Sequence, residues 1–136
     1  MFMVAVPVNY LWELGQSSLY LPPSRFRDML WHCFVASLGD GVIIGLIYGA
    51  SAILFRERDW YGRMSLGRWV VLLTSTLVVG TLVEWTGLRL QRWSYADTMP
   101  LVPGLRVGLV PLLQMLVLPP LVFWISRIRA SRRGGN

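Results

Sequence analysis

Four apolar runs of about the length needed to cross a membrane constrain the fold of this chain more than any other feature. A helix needs about 20 mostly apolar residues to cross a hydrocarbon core roughly 30 Å thick. The four runs cover residues 2–20, 31–55, 69–88 and 107–126, and arginine-containing segments separate them. We therefore predict an all-α integral membrane protein, with four transmembrane helices in one bundle over 1–126 and a basic cytoplasmic tail over 127–136.

The first run differs from the others because Asn9, Glu13 and Gln16 interrupt it. It invites comparison with a cleaved signal peptide, which needs a basic start and a small-residue cleavage site. No basic residue precedes Arg25, and Glu13 divides the apolar stretch. We expect a retained spanning helix here, with a surface or re-entrant helix as the alternative.

The composition excludes several classes of function. Apolar residues make up 54% of the chain and charged residues 15%, against roughly a quarter charged in soluble domains. The thirteen basic residues are all arginine and lie between apolar runs, whereas a nucleic-acid site needs a continuous basic face in water. A single cysteine cannot form a disulfide within the chain. We therefore predict membrane lipids as partners and no nucleic acid.

The arginine distribution predicts the orientation. With four spans, the N-terminus, the 56–68 loop and the tail lie on one side and carry eight arginines, against five on the other side. Basic residues are retained on the cytoplasmic side of a membrane. Both termini are therefore predicted to be cytoplasmic.

Acidic residues inside the predicted spans are the strongest functional signal. Glu13, Asp40 and Glu84 lie in three different spans, where a charge costs about 2.5–3.5 kcal/mol at the helix centre. Such residues usually face the interior of a bundle and often have a role. Helical spacing places polar and small residues on the same face in each case: Asn9, Glu13, Gln16 and Tyr20; Cys33, Ser37 and Asp40, with His32 one step away; and Thr76, Gly80 and Glu84.

Depth in the membrane gives a second argument for a shared site. If the N-terminus is cytoplasmic, six polar residues from the four spans fall in the outer half of the membrane. We therefore predict one polar site, formed by Glu13, Gln16, His32, Asp40, Glu84 and Gln114.

Three readings of this cluster remain open. It is a structural network that fixes the helices by hydrogen bonds, a site of proton chemistry on a lipid or other apolar substrate, or a metal or ion site. For proton chemistry the candidate catalytic residues are Glu13, Asp40, Glu84 and His32, and the candidate substrate-binding residues are Asn9, Gln16, Gln114, Trp93 and Tyr95. We predict no metal site, because His32 is the only imidazole and has no second ligand at short spacing. No cofactor can be assigned, and transport is a further alternative.

Two other segments carry predictions. The run 92–100, which contains Trp93 and Tyr95, either covers the polar cluster as a lid or is a plain interfacial loop. Small residues at Ser37, Gly41, Gly45 and Gly49 recur every four positions, which allows another helix to approach closely. That face is a possible contact with a second copy or with a partner membrane protein.

Several local combinations give the chain a resemblance to known sequences. They are Trp12-Glu13 with Gln16 and Leu19-Tyr20, His32-Cys33 with Gly39-Asp40, Glu84-Trp85, Trp93 with Tyr95 and Met99-Pro100, and Pro111-Leu112 with Gln114. In these the chain resembles a group of small uncharacterised bacterial inner-membrane proteins of about this length. The resemblance implies a four-helix protein of a bacterial cytoplasmic membrane and no particular activity. An accessory or scaffold subunit is therefore the alternative to an enzyme.

Overall fold

The computed structural model describes residues 1–20 and 26–133, and every regular secondary-structure element in these residues is a helix. Four α-helices follow one another along the chain: α1 (Phe2–Gln16), α2 (Phe26–Phe55), α3 (Leu66–Arg89) and α4 (Leu109–Arg133). Short 3₁₀ turns at Ser17–Leu19 and Trp60–Gly62 lie after α1 and before α3. The all-α fold class is thus confirmed for the described residues.

Three of the helices are long and apolar enough to cross a membrane: α2, α3 and the part of α4 over Leu109–Arg129. Their outward faces carry large apolar side chains that nothing in the described part of the chain covers, such as Leu46 and Ile53 on α2 and Val78 on α3. In a protein surrounded by water such continuous exposure would be unfavourable, whereas lipid tails accept it. These helices indicate a multi-pass membrane protein.

The first helix is shorter than the apolar run that predicts it. α1 has 15 residues, about 22 Å at 1.5 Å per residue, and ends at Gln16 instead of at residue 20. The chain then makes one 3₁₀ turn, and Tyr20 becomes extended to form an isolated antiparallel bridge with Tyr95. The amide of Ala96 also donates to the carbonyl of Leu19 at 2.9 Å. The end of the run therefore bonds to the loop between α3 and α4.

The other helix ends also differ from the predicted bounds. α2 begins at Phe26, five residues before the predicted run, and α3 begins at Leu66 because Ser65 caps it. α4 begins two residues late, because a bridge between Leu101 and Gly108 holds the preceding backbone extended. It continues to Arg133, so most of the segment predicted as a basic tail is helical, and its last three residues lie outside the described part.

The helices form an incomplete ring. α1 packs against α2 and α4, and α3 packs against α4, whereas α2 and α3 touch each other much less. At Gly80 a side-chain carbon would lie 3.0 Å from Met115 Cγ, so the missing side chain lets α3 approach α4 closely. The bundle therefore has a gap between α2 and α3.

The end of the bundle that contains the N-terminus is closed by a hydrophobic core. Its buried side chains come from all four helices and from the 3₁₀ turn before α3: Val4, Ala5, Ile44, Ile47, Trp60, Leu72, Val122 and Phe123. The Trp60 and Phe123 rings meet edge to face, with centroids 5.3 Å apart. Arg68 fixes the loop above them by donating to the Trp60 carbonyl at 2.7 Å and by pairing with Glu57. We call this the closed end.

The stripe of small residues on α2 is partly used within the chain. Ser37 and Gly41 are buried, and a side-chain carbon at Gly41 would lie 2.9 Å from the Phe2 ring on α1. Gly45 and Gly49 have no such neighbour. Half of the stripe therefore serves packing between α1 and α2, and a contact with a second chain through the rest stays a prediction.

Candidate functional site

The opposite half of the bundle contains a hydrogen-bond network centred on Gln114 of α4. Its side-chain nitrogen Nε2 faces Asn9 Oδ1 at 3.1 Å, Glu13 Oε1 at 3.0 Å and Asp40 Oδ2 at 2.8 Å. Its oxygen Oε1 accepts from Gln16 Nε2 at 2.9 Å. One amide therefore joins polar side chains of α1, α2 and α4.

α1 supplies three members of this network because Asn9, Glu13 and Gln16 recur at helical spacing on one face. Gln16 Nε2 also donates to Glu13 Oε1 at 2.9 Å, and Trp12 Nε1 donates to Gln16 Oε1 at 3.1 Å. The Asn9 amide group donates to the carbonyl of Ala5 at 2.8 Å. These bonds hold each side chain in one orientation toward α4.

The network brings two carboxyl groups close together. Glu13 Oε1 and Asp40 Oδ2 both lie within 3.0 Å of Gln114 Nε2. The two oxygens can therefore be no more than about 6 Å apart, within the distance at which neighbouring carboxyl groups influence each other. An amide nitrogen carries only two hydrogens, yet Gln114 Nε2 faces three acceptors. Three acceptors, two of them carboxyl oxygens, thus compete for two hydrogens.

Glu84 of α3 belongs to a second network. Its Oε2 accepts a hydrogen bond from the hydroxyl of Tyr95 and another from Trp93 Nε1 at 3.3 Å. Tyr95 is held in turn by the backbone amide of Gly108, which donates to its hydroxyl at 2.9 Å. Burial, and then the hydrogen bond to Glu84, raise the pKa of the Tyr95 phenol above its ordinary value of 10.0, so it stays a donor.

Gly87 makes room for the Trp93 indole. A side-chain carbon at Gly87 would lie 2.0 Å from Cζ2 of that ring, so only glycine lets the indole lie against α3. Gln91 turns the chain back with a positive φ of 53°, and the amide of Arg92 donates to the carbonyl of Gly87 at 2.9 Å. The loop after α3 thus folds over the helix end and contacts Glu84.

The two networks line one cavity of about 770 Å³, and all four helices contribute to its wall. Ligand sites typically measure about 300–1,000 Å³ and combine apolar walls with a few placed polar groups. The polar lining includes Glu13, Gln16, Asp40, Glu84 and Gln114, and apolar residues such as Val83 and Met115 complete the wall. The cavity lies away from the closed end.

Most of the sequence-predicted site residues meet at this cavity. The residues that line it are Glu13, Gln16, Asp40, Gln114, Glu84, Trp93 and His32. Asn9 accepts a hydrogen bond from the lining residue Gln114, and Tyr95 donates one to the lining residue Glu84. His32 is exposed, and its Nδ1 lies 2.7 Å from the carbonyl oxygen of Asp28. It lies eight residues from Asp40 along α2, about 12 Å of helix rise. His32 is thus outside both hydrogen-bond networks, at the rim of the cavity.

Sequence reasoning omitted two contributors from its list of site residues. Tyr20 and Arg92 both line the cavity, and the rings of Tyr20 and Tyr95 lie 5.5 Å apart between centroids. Tyr20 belongs to the polar stripe predicted for the first span, which was a usable signal even though α1 itself ends at Gln16. The position of Arg92 depends on the fold of the loop after α3, which has no periodic pattern.

Among the described residues no group of three or more His, Cys, Asp or Glu side chains is arranged to hold a metal ion. Comparison with known proteins adds nothing to this picture: no family model, no curated protein and no solved structure matches the chain. The function must therefore be argued from the cavity itself.

Proposed function

We propose that this chain is a four-span enzyme of a bacterial cytoplasmic membrane, with both termini cytoplasmic, that moves a proton to or from an apolar, membrane-dissolved substrate. Asp40 and Glu13 are the proposed acid and base, and Glu84 is a third carboxyl group in the same wall. The remaining polar side chains orient these groups.

The placement of residues 1–20 supports four spans. Met1 packs against the hydrophobic core of the closed end, and Tyr20 pairs with Tyr95 in the loop after α3. The segment therefore reaches from one set of loops to the other, as α3 does, although its regular helix is short. The N-terminus and the loop before α3 meet at the same end of the bundle. That is expected if both helices between them, α1 and α2, cross the membrane.

One observation carries the proposal of chemistry. Glu13 and Asp40 share the Gln114 amide, yet each uses only one carboxyl oxygen in hydrogen bonds among the described residues. The other oxygens, Glu13 Oε2 and Asp40 Oδ1, are free for a ligand, and both residues line the cavity. Two carboxyl groups in one apolar site, placed by fixed amides, can act as proton donor and acceptor.

A purely structural network accounts for less of this arrangement. A buried polar network stabilises a fold best when every member is fully bonded within it. Here three acceptors, two of them carboxyl oxygens, compete for the two hydrogens of one amide beside an open volume of about 770 Å³. Packing alone would favour a filled interface at that place.

The test replaces a carboxyl by its amide. Asp40→Asn keeps the size of the side chain and can still hydrogen-bond, but it cannot exchange a proton. We expect the variant to fold like the wild type in detergent and to lower the rate of the reaction by about 10²–10⁴-fold. The measurement is the lipid extract of a deletion strain carrying wild type or variant, compared by mass spectrometry for the species that accumulates.

The matched control is Asp97→Asn, which makes the same chemical change at an exposed loop position away from the cavity. It should restore the wild-type lipid profile. If Asp40→Asn folds and also restores that profile, the carboxyl group is not needed for chemistry. The scaffold reading would then replace the enzyme.

A further inference from the structure

The rim of the cavity carries a cation that neither hydrogen-bond network uses. Arg92 lines the cavity and is exposed, and its guanidinium makes no hydrogen bond or ion pair within the described part of the chain. Its backbone is nevertheless fixed by the bond to the Gly87 carbonyl. His32 and the exposed Trp31 of α2 lie on the facing rim. The rim is therefore positive and aromatic, as at a membrane interface.

The cavity also has an apolar edge, formed by lining residues of the two helices that border the gap. Val35 and Ala36 belong to α2 and Val83 to α3, and Val35 is 49% exposed. Since the outward faces of both helices are apolar, the gap faces lipid tails below the rim. A molecule already in the membrane can enter there without passing through water.

The depth of the acidic groups determines which part of such a molecule they reach. Asp40 lies about 12 Å of helix rise below His32, whereas the headgroup layer is only about 5–8 Å thick on each side of the hydrocarbon core. The two neighbouring carboxyl groups also disfavour an anionic group at their own level. A lipid bound here would keep its charged headgroup at the rim and present its chain to Asp40.

We infer that the cavity admits an anionic membrane lipid sideways between α2 and α3, with its phosphate at Arg92 and its acyl chain running inward past Asp40. This deepens the proposed function and rests on it for the chemistry: the reacting group is on the chain of the lipid. A membrane lipid is the occupant, and not a soluble phosphate, because the cavity continues from the cation along an apolar edge.

The experiment measures lipid binding to the purified full chain in neutral detergent. Phosphatidylglycerol and phosphatidylcholine with identical chains are titrated and bound lipid is counted by native mass spectrometry. The wild type should prefer phosphatidylglycerol, and Arg92→Gln should reduce that preference by roughly fivefold, the effect of one arginine near an anionic surface. Arg92→Lys, which keeps the charge, should retain most of it.

Arg89→Gln is the matched control, because Arg89 is an exposed arginine three residues earlier that does not line the cavity. It should leave the preference unchanged. Equal losses in Arg89→Gln and Arg92→Gln would overturn the inference in favour of a general surface attraction. Competition by glycerol 3-phosphate as strong as that by phosphatidylglycerol would overturn it in favour of a soluble ligand.

Asp40→Asn separates this inference from the proposed function. It should bind phosphatidylglycerol like the wild type, because the phosphate lies at Arg92. Binding that depends on Arg92, together with full activity of Asp40→Asn, would sustain the lipid site and refute the acid–base role. A wild type with no preference for phosphatidylglycerol would refute the lipid site, whatever the activity of Asp40→Asn.

Discussion

The contact between Gly87 and Trp93 gives the sharpest test of the site geometry. In Gly87→Ala the new carbon would lie 2.0, 2.2 and 2.4 Å from three atoms of the indole. No real side-chain carbon tolerates these distances, so the ring must leave its place on α3. It would then lose its hydrogen bond to Glu84 and shift the backbone of Arg92.

The size of the effect follows from three terms. Overpacking costs about 1–3 kcal/mol, and the lost hydrogen bond costs about 1 kcal/mol more. Replacing glycine by alanine inside a helix stabilises the helix by about 1 kcal/mol. We therefore expect Gly87→Ala to lower the free energy of unfolding by about 1–3 kcal/mol.

Gly45→Ala is the control, because nothing lies within 4 Å of the new carbon at that position of α2. It should be neutral or stabilising by up to about 1 kcal/mol. Unfolding of both variants is followed by circular dichroism in the same detergent. The two variants should differ by roughly 1–4 kcal/mol.

A double-mutant cycle decides whether the indole is the cause. In a Trp93→Ala background the obstacle is gone, so Gly87→Ala should no longer destabilise the protein. The coupling between the two positions should lie near the upper part of the usual range of about 0.5–3 kcal/mol. Additive effects, or equal stability of Gly87→Ala and Gly45→Ala, would refute the reasoning.

Two further predictions concern the loop after α3 and the orientation. The raised pKa of Tyr95 means that its contribution to stability is complete below pH 10 and declines as the pH rises further. Tyr95→Phe should therefore lose less stability than the wild type between pH 9 and about 11, and an identical decline in both proteins would contradict this. For the orientation, a cytoplasmic reporter fused after residue 136 should be active and a periplasmic one inactive. The reverse result would place the cavity in the cytoplasmic half of the membrane.

Helical spacing was sufficient to predict much of the site. Asn9, Glu13 and Gln16 share one face of α1, and the depth argument placed Asp40 and Gln114 at the same level. The reason is physical, because a polar group in lipid has few alternatives to an interior partner. The positions of residues under that constraint can be predicted from the sequence.

The positions of residues outside the regular helices could not be predicted in the same way. Trp93 was named as a candidate within the 92–100 run, but Arg92 was not, because its place at the cavity depends on the chain reversal at Gln91, where φ is positive. Such a reversal produces no periodic pattern in the sequence. Likewise α1 ends at Gln16 because Tyr20 pairs with Tyr95, a contact between residues far apart in the chain. His32 was grouped with the acids because the predicted depth placed it in the same half of the membrane, yet it lies about two helical turns from Asp40.

The closed end has a consequence for the direction in which this protein works. Trp60 and Phe123 fill the bundle at that end, among the described residues. Under the proposed lipid site, a lipid would therefore enter from the opposite half of the membrane, and one in the leaflet next to the closed end would have no route to Asp40. The protein would thus act on a single leaflet, and lipids of the other leaflet would become substrates only after crossing the bilayer. Its rate in a cell would then depend on transbilayer lipid movement as well as on its own chemistry.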